Sequence, residues 1–366
     1  MAGIGCTSHH CLNAFLSICD WNGEIEESPL KTCALIFAGA LLLTLSAGAQ
    51  TIVYVGGSGT GHYSTLQAAV NALPSNGGEI QIAAGTYKAQ TTITKPNVWL
   101  IGEGSSPSAT VIEDNLSAAG TGSDKGSATL VVSNAATGFY AQNLSIENTY
   151  GSGSQAVALF LQADESVLRD VDITGAQDTL YLGSEGCGSS TCTPARQYFY
   201  DCYVQGNVDF IFGDGAAVFD SSTIQIDENG SLSGETTVTA QYRQFTNYLS
   251  GFVFWNSTIR SNPATGMTAD YLGRPWSPLA YVAYVNCDLA APINKAGWIE
   301  WEPGTTDYLA TATFEEYGST GAGAIGYTDK ERESHAIYLT STQANALAPD
   351  TFLAGSNGWD PTSVSH

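Results

Sequence analysis

Basic side chains are scarce in this chain. Twelve Lys and Arg stand against 35 Asp and Glu in 366 residues, a formal net charge of -23. Nucleic-acid binding needs clustered cations on phosphate, so this balance excludes a nucleic-acid partner. It also repels polyanions, so an acidic polymer needs local Arg or Lys, or neutralised acids, to be received. Charged residues of either sign make up only 13%, whereas Gly numbers 40 and aromatics reach 10%. That is the composition of a packed protein, not of a disordered one. Histidine numbers five, and the cysteine spacing is not that of a zinc site, so neither a metal nor another cofactor is expected. There is no G-x-S-x-G, which removes the serine-hydrolase elbow. Long helical periodicity is also lacking. One short candidate runs from Tyr63 to Leu73, with Leu66, Ala69, Val70 and Leu73 on one face and Pro74 as its stop.

The long apolar run is confined to Cys33–Ala49, behind Lys31. It is short for a membrane span, and Ala47-Gly48-Ala49 has the A-x-A pattern of a cleavage site before Gln50. We therefore expect residues 1–49 to be an extension carrying a secretion signal and residues 50–366 to be one secreted domain without stable membrane association. A membrane anchor is the alternative. Glu24, Glu26 and Glu27 are unlike a basic leader start. Cys187, Cys192, Cys202 and Cys287 would remain after cleavage, and four cysteines allow three pairings. A disulfide could close the Cys187–Cys192 loop, while Cys202 and Cys287 lie in apolar, strand-like runs that suit buried thiols. Sequons at Asn115, Asn143, Asn229 and Asn256 fit a secreted glycoprotein.

Most of the chain reads as short strands between Gly, Asn, Asp and Ser clusters. A weak repeat runs through them: a polar residue, two further positions, then Ile, Val or Leu. It comprises Asn97…Leu100, Asn143…Ile146, Asp170…Ile173, Asp201…Val204, Ser221…Ile224, Asn256…Ile259 and Asn286…Leu289. Counting the long first interval as two turns, the period is about 20–35 residues, which suggests a solenoid of stacked rungs. A parallel β-helix is the expected form. An antiparallel sandwich with similar strand spacing is the alternative.

Two acidic residues break otherwise apolar runs: Asp178 in Gln177-Asp-Thr-Leu180 and Asp209 in Asp209-Phe-Ile-Phe-Gly213. Each is costly to bury without a reason. Taken singly, each could cap a turn. One solenoid period apart, they would stack on one face as a carboxylate pair suited to acid/base or nucleophilic chemistry. Gln155 opens an apolar run one turn before Gln177. Arg274 sits beside Trp276 in Leu272-Gly-Arg-Pro-Trp276, and a scarce Arg there suits holding a carboxylate. Trp298 and Trp301 follow, as core packing or sugar-stacking surfaces. Arg243 is a second cation that could lie near the cleft. Asp164, Asp170 and Asp172 read as a solvated strand edge, and the Gly321–Gly326 run, although it fits G-x-G-x-x-G, follows no clear strand.

The ordered runs QAVAL, GAQDTLY, VDFIFG and LGRPW, with Gly85-Thr86-Tyr87 before them and Tyr317-Gly318 and Gly321–Ala324 after, resemble the pectin methylesterases (pectinesterases). The resemblance spans Thr51 to Ala324. The family's Glu two places after the Tyr is Ala89 here. The short, acidic form resembles the fungal branch. The resemblance implies an all-β, right-handed parallel β-helix and hydrolysis of methyl esters in pectin, methyl-esterified polygalacturonate, by a monomer without cofactor. It further implies Asp209 as nucleophile, Asp178 as general acid/base, Gln177 and Gln155 as oxyanion donors and Arg274 as the holder of Asp209. Tyr181, Phe212 and Trp276 would be cleft aromatics, and Thr129 a cleft hydroxyl. Another β-helix enzyme, a pectate lyase or polygalacturonase, and a catalytically silent wall-binding β-helix are the rival readings.

Overall fold

The computed structural model describes residues 50–184, 194–230, 234–247, 250–262 and 269–366. The expected leader and the Cys187–Cys192 loop lie outside the described residues.

Every strand pairing between the described strands is parallel, and the chain winds as a parallel β-helix. One sheet stacks seven strands, among them Leu159–Leu161, Leu180–Leu182, Val208–Gly213, Glu235–Gln241 and Ala269–Pro275. The other, of eighteen strands, bends along a corner into two faces. Ser166–Thr174 shows the bend: its first half pairs with Arg196–Tyr200 and its second with Tyr203–Gly206.

The polar-then-aliphatic repeat builds that corner. Asn143, Asp170, Asp201, Ser221, Asn256 and Asn286 all hold left-handed backbone, with φ between 51° and 54°. Short polar side chains tolerate that conformation, which costs most L-residues about 1–2 kcal/mol. Gly318 continues the column at φ 67°, where a Cβ would stand 2.4 Å from Asn286 Oδ1. Three residues after each corner, the aliphatic partners fall in register: Ile146, Ile173, Val204, Ile224, Ile259 and Leu289. All six are fully buried. Burial of such a side chain contributes about 1.5–3 kcal/mol.

Asn97 departs from this reading. Its φ is also 52°, but it precedes Val98–Gly102, next to Gly138, at a different turn of the coil. The interval from Asn97 to Asn143 is not two turns either. Trp99 pairs directly with Tyr140, so the chain makes one turn enlarged by the short helices Ala118–Thr121 and Asp124–Ser127.

The predicted helix spans Leu66–Ala72, capped by Thr65, and buries Leu66, Ala69 and Val70. Tyr63 instead pairs with Val55 in a strand. Beyond residue 320 the chain forms helices of four or five residues, too short to leave a readable period. Its last part packs Leu339, Ala344, Leu347, Phe352 and Leu353 on an outer face of the coil. Arg196 fastens it, donating to the carbonyls of Leu353 and Ala354 while paired with Asp164 and Glu165. Asp164 is therefore an ion-pair partner and not part of a solvated edge. In the Gly321–Gly326 run, a Cβ at Gly323 or Gly326 would strike the carbonyl of Ala291 or Lys295. These glycines permit close packing. Cys202 and Cys287 are buried free thiols.

Asn143 tests the corner. Its Nδ2 donates to the carbonyls of Gly102 and Gly104 at 2.7 and 2.8 Å, so this sequon's amide is already committed. Asn143→Ala should destabilise the fold by about 2–4 kcal/mol, from two lost hydrogen bonds and an unfavourable φ. Asn143→Gly should lose about 1 kcal/mol less, because glycine accepts the backbone. Denaturant titration of both variants decides. An equal or larger loss for glycine would show that backbone conformation is not the constraint.

Candidate active site

The seven-stranded sheet sets one row of side chains over the next. Register aligns Val131, Phe160, Tyr181, Phe212, Ala240 and Arg274. Phe160 and Tyr181 stack at 4.0 Å between ring centroids, and Phe212 meets Tyr181 edge-on at 5.1 Å. Trp276 lies beside Phe212 and Trp301 beside Trp276. Phe212, Trp276 and Trp301 of this row line a cleft of about 260 Å³ together with Asp124, Gln155, Gln177, Asp178, Asp209 and Arg274.

Asp209 reaches the cleft through a break in register. Val208–Gly213 shifts against Glu235–Gln241 between Val208 and Ile211, and Asp209 has φ 52°. Such a bulge re-aims a side chain. Phe210 stays in the core at 0% exposure, while the Asp209 carboxylate is gripped from the cleft side. Arg274 donates Nε to Oδ1 at 2.9 Å and Nη2 to Oδ2 at 2.6 Å. Thr237 Oγ1 donates to Oδ1 at 2.7 Å and accepts the Asp209 backbone N–H at 2.9 Å. The Arg fork is itself held: Nη1 donates to the Trp301 carbonyl, and the guanidinium lies 4.4 Å from the Trp301 ring centroid. Geometry of this kind is specific to Arg.

Asp178 lies one rung away, also left-handed at φ 60°, with its N–H donating to the Val208 carbonyl. Burial pushes its carboxyl well above the ordinary value, and the negative charges of Asp209 and Asp124 add to this. Arg274 and a hydrogen bond from Gln177 act against them. The two acids are thus separated in character: Asp209 is clamped by a cation, and Asp178 is driven toward its protonated form.

The structure brings together Asp209, Asp178, Gln177, Gln155, Arg274, Tyr181, Phe212 and Trp276 from the sequence reading. Thr129 is the correction. It is fully buried, and its hydroxyl donates to the Glu147 carbonyl at 2.8 Å, which makes it a packing group. Arg243 likewise turns away, donating Nε to the Leu279 carbonyl and covering the Tyr281 ring. Trp298 is core, stacked on Phe314 at 4.0 Å, whereas Trp301 faces the cleft. Three groups were not anticipated: Phe160, Asp124 and Thr237, the last a strand hydroxyl that nothing in the sequence distinguishes from its neighbours. Phe160 could have been found by counting, since it lies three residues after Val157 as Tyr181 does after Asp178 and Phe212 after Asp209. Asp124 comes from the inserted turn, which follows no repeat.

The Asp178 carboxyl should respond to its neighbours. Asp124→Asn and Asp209→Asn should each lower its pKa, because each removes a negative charge that disfavours ionisation. Carboxyl-selective NMR or infrared titration checks this. No downward movement in either variant would mean that burial alone raises it.

Comparison with known proteins agrees with this geometry. The pectinesterase family model matches residues 52–356. A probable pectinesterase/pectinesterase inhibitor of Arabidopsis thaliana is 35% identical over 320 residues, covering 85% of this chain and 53% of that protein. The Daucus carota pectinesterase is 32% identical, covering 83% and 93%. The chain thus spans about half the length of several plant relatives. Among solved structures, the pectin methylesterase from carrot superposes with a TM-score of 0.73 at 29% identity, covering 86% of this chain and 96% of its own. That from Aspergillus niger gives 0.70 at 31%, covering 85% and 97%. Fold, motif order and site geometry agree in placing this chain in the pectinesterase family.

Proposed function

We propose that the chain is a carboxylic ester hydrolase that removes methyl groups from methyl-esterified homogalacturonan, releasing methanol and leaving pectate. The observation that carries this reading is the Asp209 carboxylate held by two N–H groups of Arg274 beside a buried Asp178 whose carboxyl is pushed well above its ordinary value. Asp209 attacks the ester carbonyl carbon. The oxygen that gains charge is met by amide N–H groups of Gln177 and Gln155, which line the same cleft. One such donor is worth about 2.7–4 kcal/mol. Asp178 gives its proton to the departing methoxide, so methanol leaves and an anhydride joins the galacturonate acyl group to Asp209. Asp178, now ionised, takes a proton from water as it attacks the anhydride. The galacturonic acid departs and loses its proton to solvent, Asp209 is restored as carboxylate and Asp178 is protonated again. The aromatic row suits sugar rings.

Within this proposal the protein is a secreted, fungal-type monomeric glycoprotein, with its mature start near Gln50 and no stable membrane association. The acidic composition and the pattern before Gln50 support that placement. Methanol release from pectin without chain shortening separates this reading from a lyase or polygalacturonase. Pectin binding without methanol would favour a silent binding protein.

Asp209→Ala should lower methanol release by at least about 10³-fold, since no other group can form the acyl intermediate. Retention of a few per cent of turnover in a folded variant would refute the nucleophile. Arg274→Lys should lose at least about tenfold, because an ammonium cannot reproduce the two-armed contact. Near-wild-type kcat between pH 4 and 7 would show that the fork is dispensable.

A further inference from the structure

The cleft continues past the two aspartates. A second hollow of about 270 Å³ shares Gln177 and Arg274 with the first and is otherwise lined in part by Val208, Glu235, Ile299, Glu300 and Pro303. A polymer with one unit at Asp209 therefore presents a neighbouring unit here.

The charges of this hollow are lopsided. Its cation, Arg274, has its fork on Asp209, and two carboxylates, Glu235 and Glu300, line the same space. Glu300 is fixed in place: Thr306 Oγ1 donates to it at 2.7 Å, the Trp301 N–H at 2.9 Å and the Leu309 N–H at 3.1 Å. Burial pushes its carboxyl up, but these donors and the Tyr308 N–H outweigh that and leave it below the usual range. It stays an anion in mildly acidic medium. Glu235 stands two residues before Thr237 on one strand, hence on the same face, toward Arg274. Val208, Ile299 and Pro303 add apolar surface to the same lining. The hollow suits a neutral, methyl-bearing group and repels an anion.

We propose that this hollow is a subsite for a methyl-esterified galacturonate, and that Glu235 and Glu300 are specificity-determining residues that exclude the free acid from it. The proposal rests on the esterase reading and deepens it. Its consequence is that a de-esterified unit in this position slows attack on its neighbour.

The test compares wild type with Glu235→Gln, Glu300→Gln and the double variant. The first readout is the ratio of kcat/KM on highly methylated pectin to that on sparsely methylated pectin at matched ester concentration. The second is calorimetric binding of a fully de-esterified oligogalacturonate. In low salt the double variant should lower the ratio roughly three- to thirtyfold and tighten acid-oligomer binding by a similar factor, the range for a pair of solvent-screened charges. Both differences should shrink at about 1 M salt, where the Debye length falls to about 3 Å. Glu235→Gln leaves the Glu300 hydrogen bonds in place and should give part of the effect even where the double variant does not fold. Wild-type acid-oligomer binding in a folded variant overturns the subsite assignment, whether or not methanol is released. Tighter binding without methanol release from the wild type overturns the esterase reading and leaves the charge assignment standing.

Discussion

Parallel stacking in register is the constraint on which the rest of this molecule depends. Each rung lays its residues over the same positions of the previous one, so a side chain's main neighbours are its own counterparts. Phe199, Phe219, Phe254 and Tyr284 occupy one such row and stack at 4.6, 4.9 and 4.4 Å. Each aromatic contact of this kind adds about 0.5–1.5 kcal/mol beyond area burial. The same rule makes the corner a column of Asn, Asp and Ser, since every rung must turn with the same left-handed backbone. A stack has ends as well as rows. The helix Leu66–Ala72 packs against Ile52–Val55 and contributes Leu66, Ala69 and Val70 to the core near the chain's beginning. Repeat proteins need such atypical terminal units, because an open edge would leave core and backbone unpaired.

The candidate site lies where that regularity is broken. A residue kept in strict register would leave Asp209 among the side chains of its row, whereas the bulge turns it out to meet Arg274 from a strand two rungs on. Burying this ion pair is expensive, and the cost is tolerable only with its lone pairs and N–H groups satisfied. Thr237 and the Trp301 carbonyl do so, and the Trp301 ring covers the guanidinium. One cation, Arg274, shares the cleft with three acids, Asp209, Asp178 and Asp124. The clamped carboxylate is Asp209, whereas burial and the neighbouring negative charges push the Asp178 carboxyl well above its ordinary value.

Much of this was legible because a solenoid converts spacing into proximity. The polar-aliphatic repeat revealed the coil, and Asp178 and Asp209, one rung apart, met as counted. Thr129 failed for a reason sequence cannot supply: the chain around it leads inward, and a hydroxyl reads alike whether it faces substrate or the Glu147 carbonyl. Asn97 misled because two different turns use the same left-handed backbone. Asp124 and the short helices after residue 320 were unreadable, since insertions and single helical turns carry no period. Trp298 and Trp301 could not be told apart by composition. Two residues separate them, and one fills the core while the other lies on the cleft.

The scarcity of cations acquires its meaning last. Arg169 donates to the Val364 and Thr362 carbonyls, Arg196 fastens the C-terminal segment, Arg243 holds the Leu279 carbonyl and Arg332 forms a buried pair with Glu316. Each of these four is committed to carbonyls or carboxylates of the protein itself, and Arg274 is committed to Asp209. Few positive charges are left to balance 35 acids, so the potential outside the protein is negative while its charged interior contacts are matched. Such a surface disfavours an anionic polymer at a distance and relents only where the polymer's charges are masked. A methyl ester is that mask. Under the proposed esterase activity its removal converts a tolerated ligand into a repelled one, so the acidic surface that looks ill-suited to a polygalacturonate would favour release of the product.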